Sequence, residues 1–249
     1  MISVKTKRDI AIMRDAGKIS QEALMLAGQY VKAGVSTFEL DKIMHDYIVK
    51  AGAVPSFLGY GGFPATACIS VNDVVIHGIP SKKQIIKDGD IVSIDVGAYY
   101  KGFHGDNAYT FPCGVVSEEA EKLLNATKES LYRAIEKACE GNRVGDIGST
   151  VEEYAKTCGY SVVRDFVGHG VGANLHEDPS VPNYGKPGRG VRLMPGMTIA
   201  IEPMVNQGSH EVFGLDDGWT IKTKDGKLSA HFEHTVAITS NGPVILTAL

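Results

Sequence analysis

One set of signals occurs twice in this chain, 107 residues apart, and no other feature restricts its possible folds as much. The offset carries Gly34 onto Gly141, Leu40 onto Ile147, Tyr47 onto Tyr154, Gly52 onto Gly159 and Gly61 onto Gly168. In the first copy, Ile10, Met13, Ile19, Ala23, Ala27 and Tyr30 recur at helical spacing and predict a helix over 7–32. Gly34 is a stop signal, and Ser36 with Glu39 forms a capping box for a second helix carrying Leu40, Ile43, Met44, Tyr47 and Ile48 to near Gly52. In the second copy, Ser117 opens a helix with Leu123, Leu124, Leu131, Ile135 and Ala138; a shorter one with Ile147, Val151, Tyr154 and Ala155 ends near Gly159. Segments rich in β-branched residues follow: Ala67–Val71, Ile91–Ala98, Asn107–Phe111, Thr198–Met204 and His231–Thr239. A period this long is no solenoid repeat. It predicts one compact α+β domain over 1–249, built of related halves near 1–115 and 116–249.

Twenty-nine acidic residues against 25 Lys and Arg give a net charge of −4, without the basic footprint of a nucleic-acid binder. The N-terminal residues lack an apolar secretory core, and no apolar run spans a bilayer. The four cysteines form no CxxC pair, so reduced thiols and a cytoplasmic protein are expected, with Cys113, Cys139 and Cys158 as small buried hydrophobes.

Acids stand where apolar strands should be uninterrupted. Asp95 divides Ile91–Ile94 from Val96, Glu202 follows Ile199-Ala200-Ile201, and Glu233 precedes Val236-Ala237-Ile238. An ionised carboxylate in such surroundings is costly unless paired, hydrogen-bonded or metal-bound. Asp95 and Asp106 flank a hairpin turn at Lys101-Gly102 and share a sheet face, either opposite or diagonal, so they repel unless a cation lies between them. His169 lies between glycines in Gly168–Gly172, and His176 and His77 add further imidazoles. Asp95, Asp106, His169, Glu202 and Glu233 together make an oxygen-rich set with no thiolate, suited to two divalent ions (Mn, Fe, Co or Zn) in a catalytic rather than a structural site. Paired ions of this kind serve amide hydrolysis.

These five residues, in this order, resemble the metal ligands of the methionine aminopeptidase family. His77–Pro80, Ser93–Gly97, Gly168–Gly172, Leu175–Pro179, Ala200–Pro203 and His231–Thr235 resemble its signatures, and the likeness runs along essentially the whole chain. The short interval from Glu202 to Glu233 resembles the bacterial type I form. The resemblance implies the pita-bread fold: pseudo-symmetric halves, a curved antiparallel sheet, outer helices and metals at the concave centre. It implies removal of the N-terminal methionine from nascent proteins whose second residue is small, by a monomer, with the ribosome as a partner and neither membrane nor nucleic acid bound directly.

By the same resemblance Asp95 binds one metal, His169 the other, and Asp106 and Glu233 bridge. Glu202 ligates and carries a proton. His176 hydrogen-bonds the scissile carbonyl, and His77 contacts the second residue. Tyr60, Phe63, Cys68, Leu175 and Trp219, with Phe57 nearby, form the methionine pocket, where many bacterial relatives carry Phe in place of Leu175. Asn72, Val74 and Ser229 resemble a monovalent-cation site for Na or K. Two alternatives remain at this stage: a proline-directed peptidase using the same five ligands, and a metal-free pita-bread protein that binds peptides or nucleic acid.

Overall fold

The structure, a computed structural model, describes residues 2–248. Helix α1 (Lys7–Gly28) buries Met13, Ala16, Gly17, Ser20, Ala23, Leu24 and Ala27, one stripe at three- and four-residue spacing. It ends four residues before the expected limit, where Tyr30 and Val31 donate to carbonyls three residues back and tighten the chain into a turn. Helix α2 (Thr37–Lys50) opens on the Ser36–Glu39 capping box. Five strands complete the first half: β1 (Val54–Pro55), β2 (Ala67–Val71), β3 (Val74–Ile76), β4 (Ile91–Tyr100) and β5 (Phe103–Pro112).

The second half again begins with a helix pair, α3 (Glu118–Glu136) and α4 (Val144–Thr157). The 107-residue offset carries α2 onto α4 end to end, with Leu40 and Ile147 both fully buried. Gly34 and Gly141 share φ values of 92° and 91° before these helices, and Gly52 and Gly159 share 78° and 84° after them. The correspondence fades beyond the helices, since Gly61 lies in a 3₁₀ turn at φ 57° while Gly168 is in a strand.

The remaining strands are β6 (Ser161–Val162), β7 (Gly168–Gly170), β8 (Glu177–Val181), β9 (Thr198–Ile201), β10 (Met204–Asn206), β11 (Val212–Gly214), β12 (Ile221–Thr223), β13 (Ser229–His231), β14 (His234–Thr239) and β15 (Gly242–Ile245). All pairings are antiparallel. β4 takes β1 and β2 on one edge and β5 on the other; the other sheets run β13-β10-β6, β11-β12-β3 and β15-β14-β9-β7-β8. α1 and α2 cover Ile69, Ile94 and Val96, while α3 and α4 cover Ile199, Val205 and Val236. The result is the expected α+β architecture, with helices outside the sheets.

Two expected strands are each broken. Thr198–Met204 divides at Glu202-Pro203, and His231–Thr239 divides at Phe232-Glu233, as each passes from one sheet to another. Pro203 has no N–H to offer a ladder, and the breaks leave the two carboxylates at the crossings between sheets. Among the cysteines the expectation of burial holds for Cys113 but not for Cys139, which is half-buried, or Cys158, which is exposed at the C-terminal cap of α4.

Candidate metal centre and substrate cavity

The site begins with the hairpin β4–β5. Lys101 (φ 47°) and Gly102 (φ 96°) form a two-residue turn of the primed type, which suits the right-handed twist of the strands. The turn fixes the register: Asp95 lies opposite Ala108, and Asp106 opposite Gly97. The two aspartates are thus diagonal neighbours on one face.

The free edge of β5 meets the second half of the chain. Glu233 exchanges backbone hydrogen bonds with Ala108, at 2.9 and 3.4 Å. Two residues along, the Thr235 hydroxyl accepts from Asp106 N–H (3.1 Å) and donates to Asp106 C=O (2.8 Å). Two residues back, the Thr110 hydroxyl donates to His231 C=O (2.7 Å) and accepts from His231 N–H (3.0 Å). These alternate contacts bring Glu233 beside Asp106. Glu202, in the break after β9, is held by its carbonyl, which accepts from Asn183 Nδ2 at 2.9 Å. His169 enters from β7; its Nδ1–H donates to Gly170 C=O at 2.9 Å, which leaves Nε2 facing the acids. That nitrogen lies 3.6 Å from Glu202 Oε1 and 3.9 Å from Asp106 Oδ2.

The first half therefore supplies Asp95 and Asp106, and the second supplies His169, Glu202 and Glu233. Ligand atoms of Asp106, His169 and Glu233 all lie within 4.8 Å of one another. Asp95 Oδ1, Asp106 Oδ1 and Glu233 Oε1 are buried with no hydrogen-bond partner. Such orphaned oxygens, on residues that line one cavity, are what a cation would satisfy. Electrostatics agree: burial, with mutual repulsion, holds Asp95 and Glu233 well above the carboxylate range. Burial, and then the charge of Glu202, pushes Asp106 up to about 8, and burial brings Glu202 to about 8. Burial lowers His169 to about 3, keeping a neutral ring whose Nε2 lone pair is available as a ligand. The donor set thus fits divalent ions, mostly through oxygen.

The acids form the floor of a cavity of about 150 Å³. Its walls include Phe57, Tyr60, Phe63, Cys68, Leu175 and Trp219, every residue expected in the methionine pocket. Phe63 and Trp219 meet edge-on at 5.2 Å. His77 also lines the cavity; it has φ 58° and stands edge-on to Phe166 and Trp219. Burial, then His231 and His176, lowers it to about 4. The His176 ring lies 4.0 Å from that of His169, and its Nδ1 meets Tyr60 Oη at 2.9 Å. Ser229 N–H donates to Asn72 C=O at 2.9 Å, so the segments of the expected monovalent-cation site adjoin.

One contact and one residue escaped the sequence reading. Tyr60 was expected as a pocket wall, yet it is also the partner of His176. His231 is buried, with Nε2 unpartnered and 3.6 Å from Glu202 Oε2. Its position two residues before Glu233 was the available signal, because alternate residues of an extended segment share a face.

Residues 11–240 match metallopeptidase family M24. A methionine aminopeptidase of Clostridium perfringens is 57% identical over 249 residues, covering 100% of both chains. The crystal structure of methionine aminopeptidase from Thermotoga maritima superposes with a TM-score of 0.99 at 45% identity, covering 100% of both chains. A prolidase from Pyrococcus furiosus has a TM-score of 0.80 at 28% identity, covering 99% of this chain and 65% of that one. The pita-bread architecture is common to this chain and the two solved structures.

Proposed function

This chain belongs to metallopeptidase family M24, among its methionine aminopeptidases, and from that premise we propose how its residues remove an N-terminal methionine. The observation that carries the reading is the buried cluster of unpartnered carboxylate oxygens at the floor of an aromatic-walled cavity. Residues 1–249 act as one catalytic unit, its halves near 1–115 and 116–249 each contributing ligands.

Asp95, Asp106, His169, Glu202 and Glu233 hold two divalent ions, of Co, Mn, Fe or Zn. Bound there, such ions polarise a carbonyl and lower the pKa of water. The methionine side chain enters among Tyr60, Phe63, Cys68, Leu175 and Trp219, where aromatic walls favour a thioether. A free α-amine, whose electron pair is not delocalised into a carbonyl as that of an internal amide is, would be selected by a cation held among these acids. Tyr60 O–H donates to His176 Nδ1, so Nε2 carries the proton and can donate to the carbonyl oxygen as negative charge develops there. Glu202 takes the proton released by the attacking water at a carboxylate oxygen and returns it to the leaving nitrogen. His77, kept neutral by burial, contacts the backbone of the second residue. A small second residue is preferred because the histidines and Trp219 crowd that end of the cavity.

The substrates are N-termini of newly made proteins, and the reaction is placed in the cytoplasm, with the ribosome as partner and a monomer as the working form. Among the described residues no helix is long and apolar enough to cross a membrane. Asn72, Val74 and Ser229 hold a monovalent cation, Na or K. A proline-directed peptidase is disfavoured by the difference between 57% and 28% identity. The presence of all five ligands disfavours a metal-free binding protein. Hydrolysis of Met-Ala-Ser, with X-Pro peptides untouched, is the expected result; the reverse preference refutes the assignment. Metal analysis of the purified protein tests the cofactor separately.

A further inference from the structure

The loop that presents His176 is fastened from beneath by the segment preceding α1. Lys5 is 6% exposed, and its Nζ lies 2.5 Å from Glu177 Oε2, a partner 172 residues away whose side chain is itself 9% exposed. The other oxygen, Glu177 Oε1, accepts from Asn174 N–H at 3.1 Å, closing the turn that carries Leu175 and His176. Gly172 leaves the space for this arrangement, since a Cβ there would stand 2.4 Å from Glu177 Oε1 and 2.6 Å from Lys5 Cε. The chain around Lys5 is itself anchored by Lys5 N–H to Gly196 C=O at 2.8 Å. From the far side, Gly172 C=O accepts from His104 N–H at 2.9 Å.

A solvent-exposed ion pair would contribute little. This one is buried, so removing either partner leaves an uncompensated charge and the loop must rearrange. Neither residue lines the cavity, and His176 directly precedes Glu177.

We propose that Lys5 is a positioning residue for His176, acting through Glu177 to hold the 171–176 loop in the geometry that aims the imidazole into the cavity. The inference rests on the role given to His176 above. It is tested by a double-mutant cycle on kcat for Met-Ala-Ser, using metal-loaded enzyme with metal content measured in each variant. Lys5→Met should lower kcat by about tenfold with His176 present and by less than about twofold in the His176→Ala background. Lys5→Arg should restore most of the loss. Amide exchange at 172–177 should rise in Lys5→Met while the core of α3 stays protected. If Lys5→Met does not fold, Lys5→Met combined with Glu177→Gln removes both charges and carries the same cycle. Equal losses in both backgrounds, or an unchanged kcat in folded Lys5→Met, overturn this inference alone. An unchanged kcat in His176→Ala overturns it together with the role of His176.

Discussion

Tyr60 and His176 show how one hydrogen bond can set a side chain's chemistry. When the phenol O–H donates to Nδ1 across the 2.9 Å contact, the single proton of the neutral ring sits on Nε2, the role proposed above. Tyr60→Phe removes that constraint and should lower kcat by about tenfold, the equivalent of about 1.4 kcal/mol, with KM little changed. His176→Ala removes the donor itself. Its kcat should fall by roughly 100-fold while metal content, read by elemental analysis, stays the same. Loss of metal in that variant would place His176 among the ligands instead. Leu175 belongs to this scale as well. It is 1% exposed and packs with Phe57, Phe63, Ala65 and Cys68.

The contact between α1 and β5 depends on glycine meeting glycine. A Cβ on Gly105 would lie 2.4 Å from Gly17 N, and one on Gly17 would lie 2.4 Å from Leu246 C=O. Because these clashes are with backbone, no rotamer relieves them. Gly105→Ala should destabilise by about 1–3 kcal/mol and lower Tm by several degrees in a thermal melt, with residual activity following the folded fraction. Gly105 adjoins Asp106, so this packing also sets where one aspartate stands. Tm and activity unchanged by the extra methyl would show that the helix is free to move away. The broken strands follow the same logic: at Glu202-Pro203 and Phe232-Glu233 the chain changes sheets, and the carboxylates occupy the crossings.

The whole molecule should carry a pH signature of its charged centre. In metal-stripped protein, His77 and His234 at about 4 and His169 and His231 at about 3 bind protons less readily folded than unfolded. Their contribution raises stability as pH climbs through about 4 to 6.5. The four carboxylates have raised folded pKa values, so the folded state binds more protons than the unfolded above about pH 4, and stability falls as pH rises toward 8. Near pH 6.5 the histidine contribution is tapering off, while the carboxylates, still protonated in the folded state alone, oppose it. Tm of the stripped protein should therefore decline between pH 6.5 and 8, and a divalent ion should raise Tm most at the upper end. A flat or rising profile there would mean that the acids are not forced together.

Local order was legible in the sequence because it is set locally. Spacing and caps located all four helices, and the α2–α4 repeat was visible in glycines whose positive φ only a few residues tolerate. That the acids would be gathered out of solvent was legible too, because an acid within an apolar segment needs an explanation wherever the chain goes. The sequence left Asp95 and Asp106 as opposite or diagonal; the two-residue turn made them diagonal. It could not show the breaks at Glu202 and Glu233, the bond from Tyr60 to His176, or the ion pair of Lys5 with Glu177. Residue type and spacing report what a segment needs for its own backbone and its own burial. Which distant group meets that need is fixed only when the halves close, as Thr235 reaches Asp106 and Glu233 reaches Ala108 across more than a hundred residues.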